Sequence, residues 1–304
     1  LNQQFKKNMI KYYTRACNFY YGTLAKKLIN KNQALPLCGN KLIAFDNIEI
    51  FSRNNRKIKI KTIYFKEIKK LKSKERKKIK KDLKFITAKR KNFLKKIDFS
   101  FPVIMGILNL TPDSFSDGGK FNSKSKSFKQ ISNMIHSGAQ IIDIGGESTR
   151  PGSKTVNPSL EWKRIKFAIQ NFKKKFKKVS LSVDTRKSEI MLKSSKYGAD
   201  IINDVSGFTY DKNSKHNFLN LNISKVLHHM QGTPNTMQLK PKYQNVLLDI
   251  YDFFEKNLKN KFRNKKIILD PGIGFGKNLK HNLTLISKVS LFHSLGLPIL
   301  VGTS

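Results

Sequence analysis

Six hydrogen-bonding side chains close short apolar runs in this 304-residue sequence: Asn109, Asp143, Asp184, Asn203, His229 and Asp270. A carboxylate accepts N–H bonds, and an amide both donates and accepts. Asp184 and Asn203 on neighbouring runs can therefore read the edge of a flat heterocycle. The other reading of Asp184 is a cap on the helix that follows, and Asp200 and Asp204 read as helix caps or solvated groups. Asn109 lies in GILNLTPDSFSDGG, residues 106–119. Its Oδ1 can coordinate a hard cation or serve an ordinary polar turn.

Two glycine-bearing loops follow the same logic. Residues 143–152 read DIGGESTRPG, where Gly145-Gly146 lets the backbone approach a ligand. Arg150 offers a fork of donors suited to carboxylate or phosphate, with a solvated surface arginine as the alternative. Residues 267–277 read IILDPGIGFGK, whose glycine spacing fails both the P-loop and the dinucleotide fingerprint. The better reading is a strand ending in Asp270, then a glycine loop that sets Phe275 and Lys277 beside a ligand. His228 and His229 are adjacent in a strand and face opposite ways, so one faces the site and the pair does not share a metal.

Positioning these groups requires a particular scaffold. Residues 103–109, 140–144, 179–184, 200–204, 225–229, 266–270 and 298–302 read as seven buried strands with helical segments between them. GAQIID at 138–143 is echoed by GADIIN at 198–203, each a helix-ending glycine followed by a strand. Repeated helix–Gly–strand units imply parallel connectivity, and polar groups at nearly every strand end form a ring at one rim. That is the C-terminal face of a (β/α)8 TIM barrel, here lacking its last strand and helices. An open doubly wound sheet would use a single crevice. The fold class is thus α/β, with residues 99–304 as the barrel and residues 1–98 as a small basic α+β accessory region. In that region, 41–51 and 57–65 read as strands, and 66–84 as a helix with Ile68, Leu71, Ile79 and Leu83 on one stripe. Residues 12–22 form an aromatic, compact segment.

The formal net charge is +41, and residues 53–98 hold 21 Lys or Arg against 4 acidic residues. Nucleic-acid or anionic-surface binding is one account. A general drift towards Lys, Asn, Ile and Phe is the other, and it is preferred because an enzyme's anionic ligands also suit a basic protein. Cys17 and Cys38 form no CxxC pair, which suits a reducing cytoplasm. No apolar run approaches the ~20 residues of a membrane span. The sequence opens at Leu1 without a signal-peptide core and is read as beginning at a fragment edge.

Taken in order, GILNLTPDSFSDGG, GAQIIDIGGESTRPG, LSVDTRK, GADIINDVSG, HHMQGTPNTMQ, ILDPGIGFGK and LPILVGTS resemble the dihydropteroate synthases over residues 101–304. The resemblance implies condensation of 6-hydroxymethyl-7,8-dihydropterin diphosphate with p-aminobenzoate, assisted by Mg²⁺, to 7,8-dihydropteroate and diphosphate. It implies that Asp184, Asn203 and Asp270 read the pterin edge, that Asp143 supports the same rim, and that Asn109 lies on the Mg²⁺–diphosphate side. Thr149, Arg150 and Pro151 would close over p-aminobenzoate. Phe275 and Ser304 would line its pocket, which sulfonamides mimic, with Lys277 also counted among the substrate-binding residues. A homodimer through outer helices is implied as well. A pterin-binding methyltransferase domain and a basic nucleic-acid-binding protein are the alternatives.

Three departures stand out. His228 replaces the family's usual Met against the pterin, and Ile273 replaces a common aromatic. The sequence stops at Ser304, before the family's Arg-Lys pair and its later Arg-x-His segment. Residues 1–304 alone are therefore expected not to turn over, because the barrel lacks its closing strand. An assay of p-aminobenzoate-dependent diphosphate release checks this, and measurable turnover by the purified chain refutes it.

Overall fold

The computed structural model describes residues 10–94, 97–111, 120–148, 153, 155–214, 221–260 and 266–302. The chain divides into two compact units. Unit 1 comprises Leu1–Lys91, Tyr243–Asp252 and Leu283–Ile299, and unit 2 comprises Asn92–Lys242, Phe253–Asn282 and Leu300–Ser304. Two segments that read as barrel in the sequence thus belong to unit 1. No helix among the described residues is long and apolar enough to cross a membrane.

Unit 1 is an antiparallel sheet with helical cover. Its elements are β1 (Lys11–Tyr21), α1 (Gly22–Asn30), β2 (Leu35–Leu37), β3 (Asn40–Asn54), β4 (Lys57–Tyr64), a 3₁₀ turn (Phe65–Lys70) and α2 (Ser73–Thr87). The long β3 pairs with each of the other three strands. The aromatic segment at 12–22 is mostly β1, as its Tyr, Phe and Thr content favours. The single helix expected over 66–84 is instead the 3₁₀ turn and then α2, broken where Leu71 is extended. Ala16, Phe45, Ile48 and Ile50 of the sheet close on Ile68, Ile79, Leu83 and Ile86. On the other sheet face, Tyr13 packs edge-on to Tyr251 at 5.1 Å, and Arg53 pairs with Asp249 at 2.8 Å.

Unit 2 is built on six parallel strands in the order β10-β9-β8-β7-β6-β5. They are β5 (Ile104–Asn109), β6 (Ala139–Gly145), β7 (Ser180–Asp184), β8 (Ile201–Asp204), β9 (Ser224–His228) and β10 (Ile267–Asp270). The helices between them are α3 (Lys120–His136), α4 (Pro158–Lys175), α5 (Ser188–Lys196) and α6 (Val246–Asn260), with α7 (Leu279–Lys288) after β10. This is an incomplete barrel. Six of the seven expected strands form. The seventh, 298–302, is reduced to a single bridge at Ile299 beside a bond from Leu300 N–H to Leu269 C=O at 2.8 Å.

Local signals set these boundaries. The side chain of Asn157 accepts from Leu160 N–H and Pro158 follows it, so α4 starts there, and Lys173–Lys175 end it against the helix dipole. Gly138 and Gly198 end α3 and α5 with φ of 100° and 86°, as their sequence echo implied.

The barrel floor corrects the expected start of the enzyme. Ile141, Ile201, Val226 and Ile268 face inward and pack on Leu94 and Ile97, with Phe93, Phe99 and Val103 against the same cluster. Phe93, Leu94 and Ile97 therefore belong to the floor and not to the accessory region. Leu94→Ala is expected to destabilise the protein by about 2–5 kcal/mol, the usual cost of emptying a buried leucine site. Urea denaturation checks it, and a loss under about 0.5 kcal/mol would return the segment to the surface.

Candidate active site

Strand register gathers the polar groups on one rim. Ile141, Asp143 and Gly145 of β6 share a face by period-two alternation, as do Ser182 and Asp184 of β7 and Ile201 and Asn203 of β8. Asp184 pairs with Asn203, and His228 pairs with Asp270. The apolar members of each set lie on the floor, so the polar members stand two residues higher at the C-terminal end.

Asn203 donates from Nδ2 to Asp143 Oδ2 at 3.0 Å. Asp143 Oδ1, Asn203 Oδ1 and His228 Nε2 are buried and have no hydrogen-bond partner among the described residues. Burial raises the Asp143 carboxyl above its ordinary value, and Asp270 adds repulsion, while the Ser182 hydroxyl and then the Asn203 amide oppose the shift. Asp184 is raised well above the usual carboxylate range by burial first, then by Asp143, Glu161, Asp204 and Glu147. It caps no helix, since α5 is preceded by Lys187 without a side-chain cap. Buried acceptors of this kind suit a ligand edge that supplies N–H groups.

Asp270 accepts from Gly272 N–H at 2.7 Å on Oδ1, and its Oδ2 lies 3.3 Å from His228 Nδ1. Phe275 meets the His228 ring edge-on at 4.7 Å between centroids. Gly272 has φ +68°, and a Cβ there would lie 2.0 Å from His229 C=O, so the loop admits only glycine at this point. β9 ends at His228 and not at His229. Both histidines are buried. His229 meets Phe253 at 4.9 Å and is held well below its ordinary pKa by burial and then by Lys277.

Lys277 does not project into the rim. Its Nζ donates to Phe275 C=O at 2.7 Å and to His229 C=O at 3.2 Å, and it lies 3.2 Å from His229 Nδ1. Asp204 is also misread by the sequence. It is fully buried, accepts from Ser206 N–H, Ser206 Oγ–H and Phe208 N–H, and is pushed up by burial to about 6. Asp200 ties Leu181 N–H at 2.8 Å and pairs with Lys173, so it is a partly exposed tie to β7 and not a helix cap. Thr149, Arg150, Pro151 and Ser304 lie outside the described residues.

Asn109 ends β5 at the rim. A Cβ on Gly145 would stand 3.3 Å from Asn109 Oδ1 and 3.5 Å from Asp184 Oδ2, so this glycine keeps open a space edged by two oxygens. Two hard oxygens at an open rim fit Mg²⁺, which takes few protein ligands and completes its shell with water and phosphate oxygens.

A buried ion network beside the rim has no local signal in the sequence. Glu147 accepts from Arg186 Nε at 2.9 Å and from Val156 N–H at 2.9 Å, and it pairs with Lys187 at 3.0 Å. Lys187 also pairs with Glu161. Arg186 reaches Thr155 Oγ1 at 3.0 Å and stacks on Tyr210 at 4.0 Å. Burial works to raise Glu147, but Arg186, the Val156 N–H and Lys187 outweigh it and hold it low. The network ties the segments after β6, β7 and β8 together.

Comparison with known proteins agrees with this geometry. The pterin binding enzyme family matches residues 105–304. The chain is similar to the dihydropteroate synthase of Escherichia coli K12, 42% identical over 212 residues, 68% of this chain and 74% of that one. Among solved structures, a Yersinia pestis dihydropteroate synthase in complex with a sulfonamide drug is 40% identical. Its TM-score is 0.63, and the match covers 68% of this chain and 76% of that one. A Xanthomonas albilineans dihydropteroate synthase with 4-aminobenzoic acid is 32% identical with a TM-score of 0.61, over 68% and 75% of the two chains. With its strand-end carboxylates and amide converging on one rim, the chain belongs to the pterin binding enzymes and, among them, to the dihydropteroate synthases.

Proposed function

We propose that the rim of unit 2 binds 6-hydroxymethyl-7,8-dihydropterin diphosphate by its ring edge and joins it to p-aminobenzoate. The observation that carries this reading is the set of buried acceptors without partners among the described residues, Asp143 Oδ1 and Asn203 Oδ1, beside a raised Asp184. A pterin edge supplies N–H donors and one carbonyl acceptor. Asp184 and Asp270 take the donors, and the Asn203 amide, already oriented by Asp143, serves the mixed edge. His228 would stand against the flat pterin ring, and Phe275, edge-on to His228, would line the adjoining p-aminobenzoate pocket.

The chemistry follows from where charge moves. As the C–O bond breaks, its electron pair leaves with diphosphate, and positive charge develops on the methylene carbon. Conjugation with the electron-rich dihydropterin spreads that charge, and the Asp184 carboxylate stabilises it. The aniline nitrogen of p-aminobenzoate then forms the new C–N bond and gives up a proton, and no strong base is required. Asn109 would hold Mg²⁺, which when bound neutralises charge on the departing diphosphate. Arg150 would serve the p-aminobenzoate side, with Thr149, Pro151 and Ser304.

Calorimetric titration tests ring recognition without relying on turnover. The free 6-hydroxymethyl-dihydropterin is expected to bind the wild-type chain. Asp184→Asn and Asn203→Ala are each expected to weaken it about tenfold or more, the loss of one charge-assisted or buried hydrogen bond. A folded wild-type chain that binds no pterin would end the reading. For the cation, Asn109→Ala is expected to abolish the Mg²⁺-dependent gain in affinity for the diphosphate ester. Affinity for the free pterin should stay as in wild type, and an unchanged Mg²⁺ response would remove Asn109 from the role.

A further inference from the structure

The loop that follows β10 is fastened at its far end by one buried ammonium group. Lys277 is 2% exposed. Its three contacts are Phe275 C=O, His229 C=O and His229 Nδ1, at 2.7, 3.2 and 3.2 Å. In its protonated form the group has donors only, and it then needs the facing Nδ1 as an acceptor, with the imidazole proton on Nε2. The loop itself leaves little slack. Gly272 N–H is held by Asp270, Phe275 N–H by Gly272 C=O, and Gly274 C=O by Gln238 Nε2. A Cβ at Gly276 would stand 2.7 Å from Gln231 C=O. Lys277 thus ties the backbone of Phe275 to the end of β9, immediately beyond His228.

We infer that Lys277 is a positioning residue, not a substrate-binding one: it fixes the Phe275 ring for the arylamine ring of p-aminobenzoate and its mimics. The inference rests on the proposed placement of that substrate beside Phe275. Among the described residues no carboxylate forms an ion pair with this group, Asp270 acting on it only through space, and its hydrogen bonds run to Phe275 and His229. A residue meant for the diphosphate would direct its charge outward. This one spends its donors on two carbonyls and an imidazole.

The same burial gives an independent signature. Removal from water lowers Lys277 to about 7, with Asp270 opposing the shift. His229 and His281 are the other titratable groups that sense it. A lysine lowered in the folded chain binds its proton less tightly there than in the unfolded chain. Stability therefore rises with pH from about 7 towards the ordinary lysine range and is diminished below it.

The test compares wild type with Lys277→Met, which keeps the length of the side chain and removes its donors, and with His229→Phe, which removes the acceptor. Each is titrated with free pterin, with pterin diphosphate and with a sulfonamide, and each is melted at several pH values from about 6.5 to 9. Positioning predicts that sulfonamide affinity falls about tenfold in both variants, and that the double variant falls no further than either single one. It predicts that the ratio of pterin diphosphate to free pterin affinity stays as in wild type. It also predicts that the rise of melting temperature with pH flattens in Lys277→Met. A selective loss of diphosphate-ester affinity in Lys277→Met would overturn the inference and return Lys277 to substrate binding. Unchanged sulfonamide affinity in a folded Lys277→Met would overturn it as well. A wild-type chain that binds pterin but no sulfonamide would instead remove the placement on which the inference stands, and the inference with it.

Discussion

Everything at the rim depends on carboxylates held in a place that disfavours their charge. Asp143 is buried and Asp184 half-buried at the ends of parallel strands, and each is pushed up first by removal from water and then by its acidic neighbours. Such groups persist in a fold only where surrounding contacts fix them. Here the contacts are specific. The Asn203 amide serves Asp143, and the Gly272 N–H serves Asp270. Next to Asp184, two buried cations and two buried anions form the Glu147–Arg186–Lys187–Glu161 network. The network pairs two anions with two cations and ties three rim segments together, while Glu161 and Glu147 still act to raise Asp184.

Much of this was legible because strand alternation is a short-range rule. An apolar run that ends in a polar residue two positions above an inward isoleucine must carry that residue to the rim. This holds for Ile141 and Asp143, Ile201 and Asn203, and Ile268 and Asp270. The parallel order of the sheet was legible for the same reason, through Gly138 and Gly198 turning each helix back into a strand.

What escaped was long-range or satisfied out of sight. Glu147 and Arg186 are separated by 39 residues, and no local pattern pairs them. Asp204 lies on the outer face of β8 beneath the helices, where alternation alone would ask for an apolar residue. Its three bonds all come from the next four residues, so the Asp-Val-Ser pattern of an Asx turn was the signal to weigh. Lys277 was placed beside a ligand because lysine is seldom buried. Only coordinates reveal that its donors are taken by carbonyls. Residues 243–252 and 283–299 look like ordinary barrel helices. Their membership in unit 1 rests on contacts such as Tyr13–Tyr251 that no periodicity encodes.

The charge of the whole chain and the charge of the rim point in opposite directions, and the contrast bears on mechanism. A formal charge of +41 draws anions towards the protein from any side. The inner rim, with Asp143, Asp184 and Asp270, repels them at close range. A molecule with N–H donors at one end and phosphate oxygens at the other fits such a field in one orientation only. On the proposed reading its donors would go inward to the carboxylates and its anionic end would stay at the edge near Asn109, so that ring recognition and leaving-group departure would be separated in space. The same arrangement explains why basicity alone said little about the partner. The exterior sets the rate of encounter, and a few buried oxygens choose what is kept.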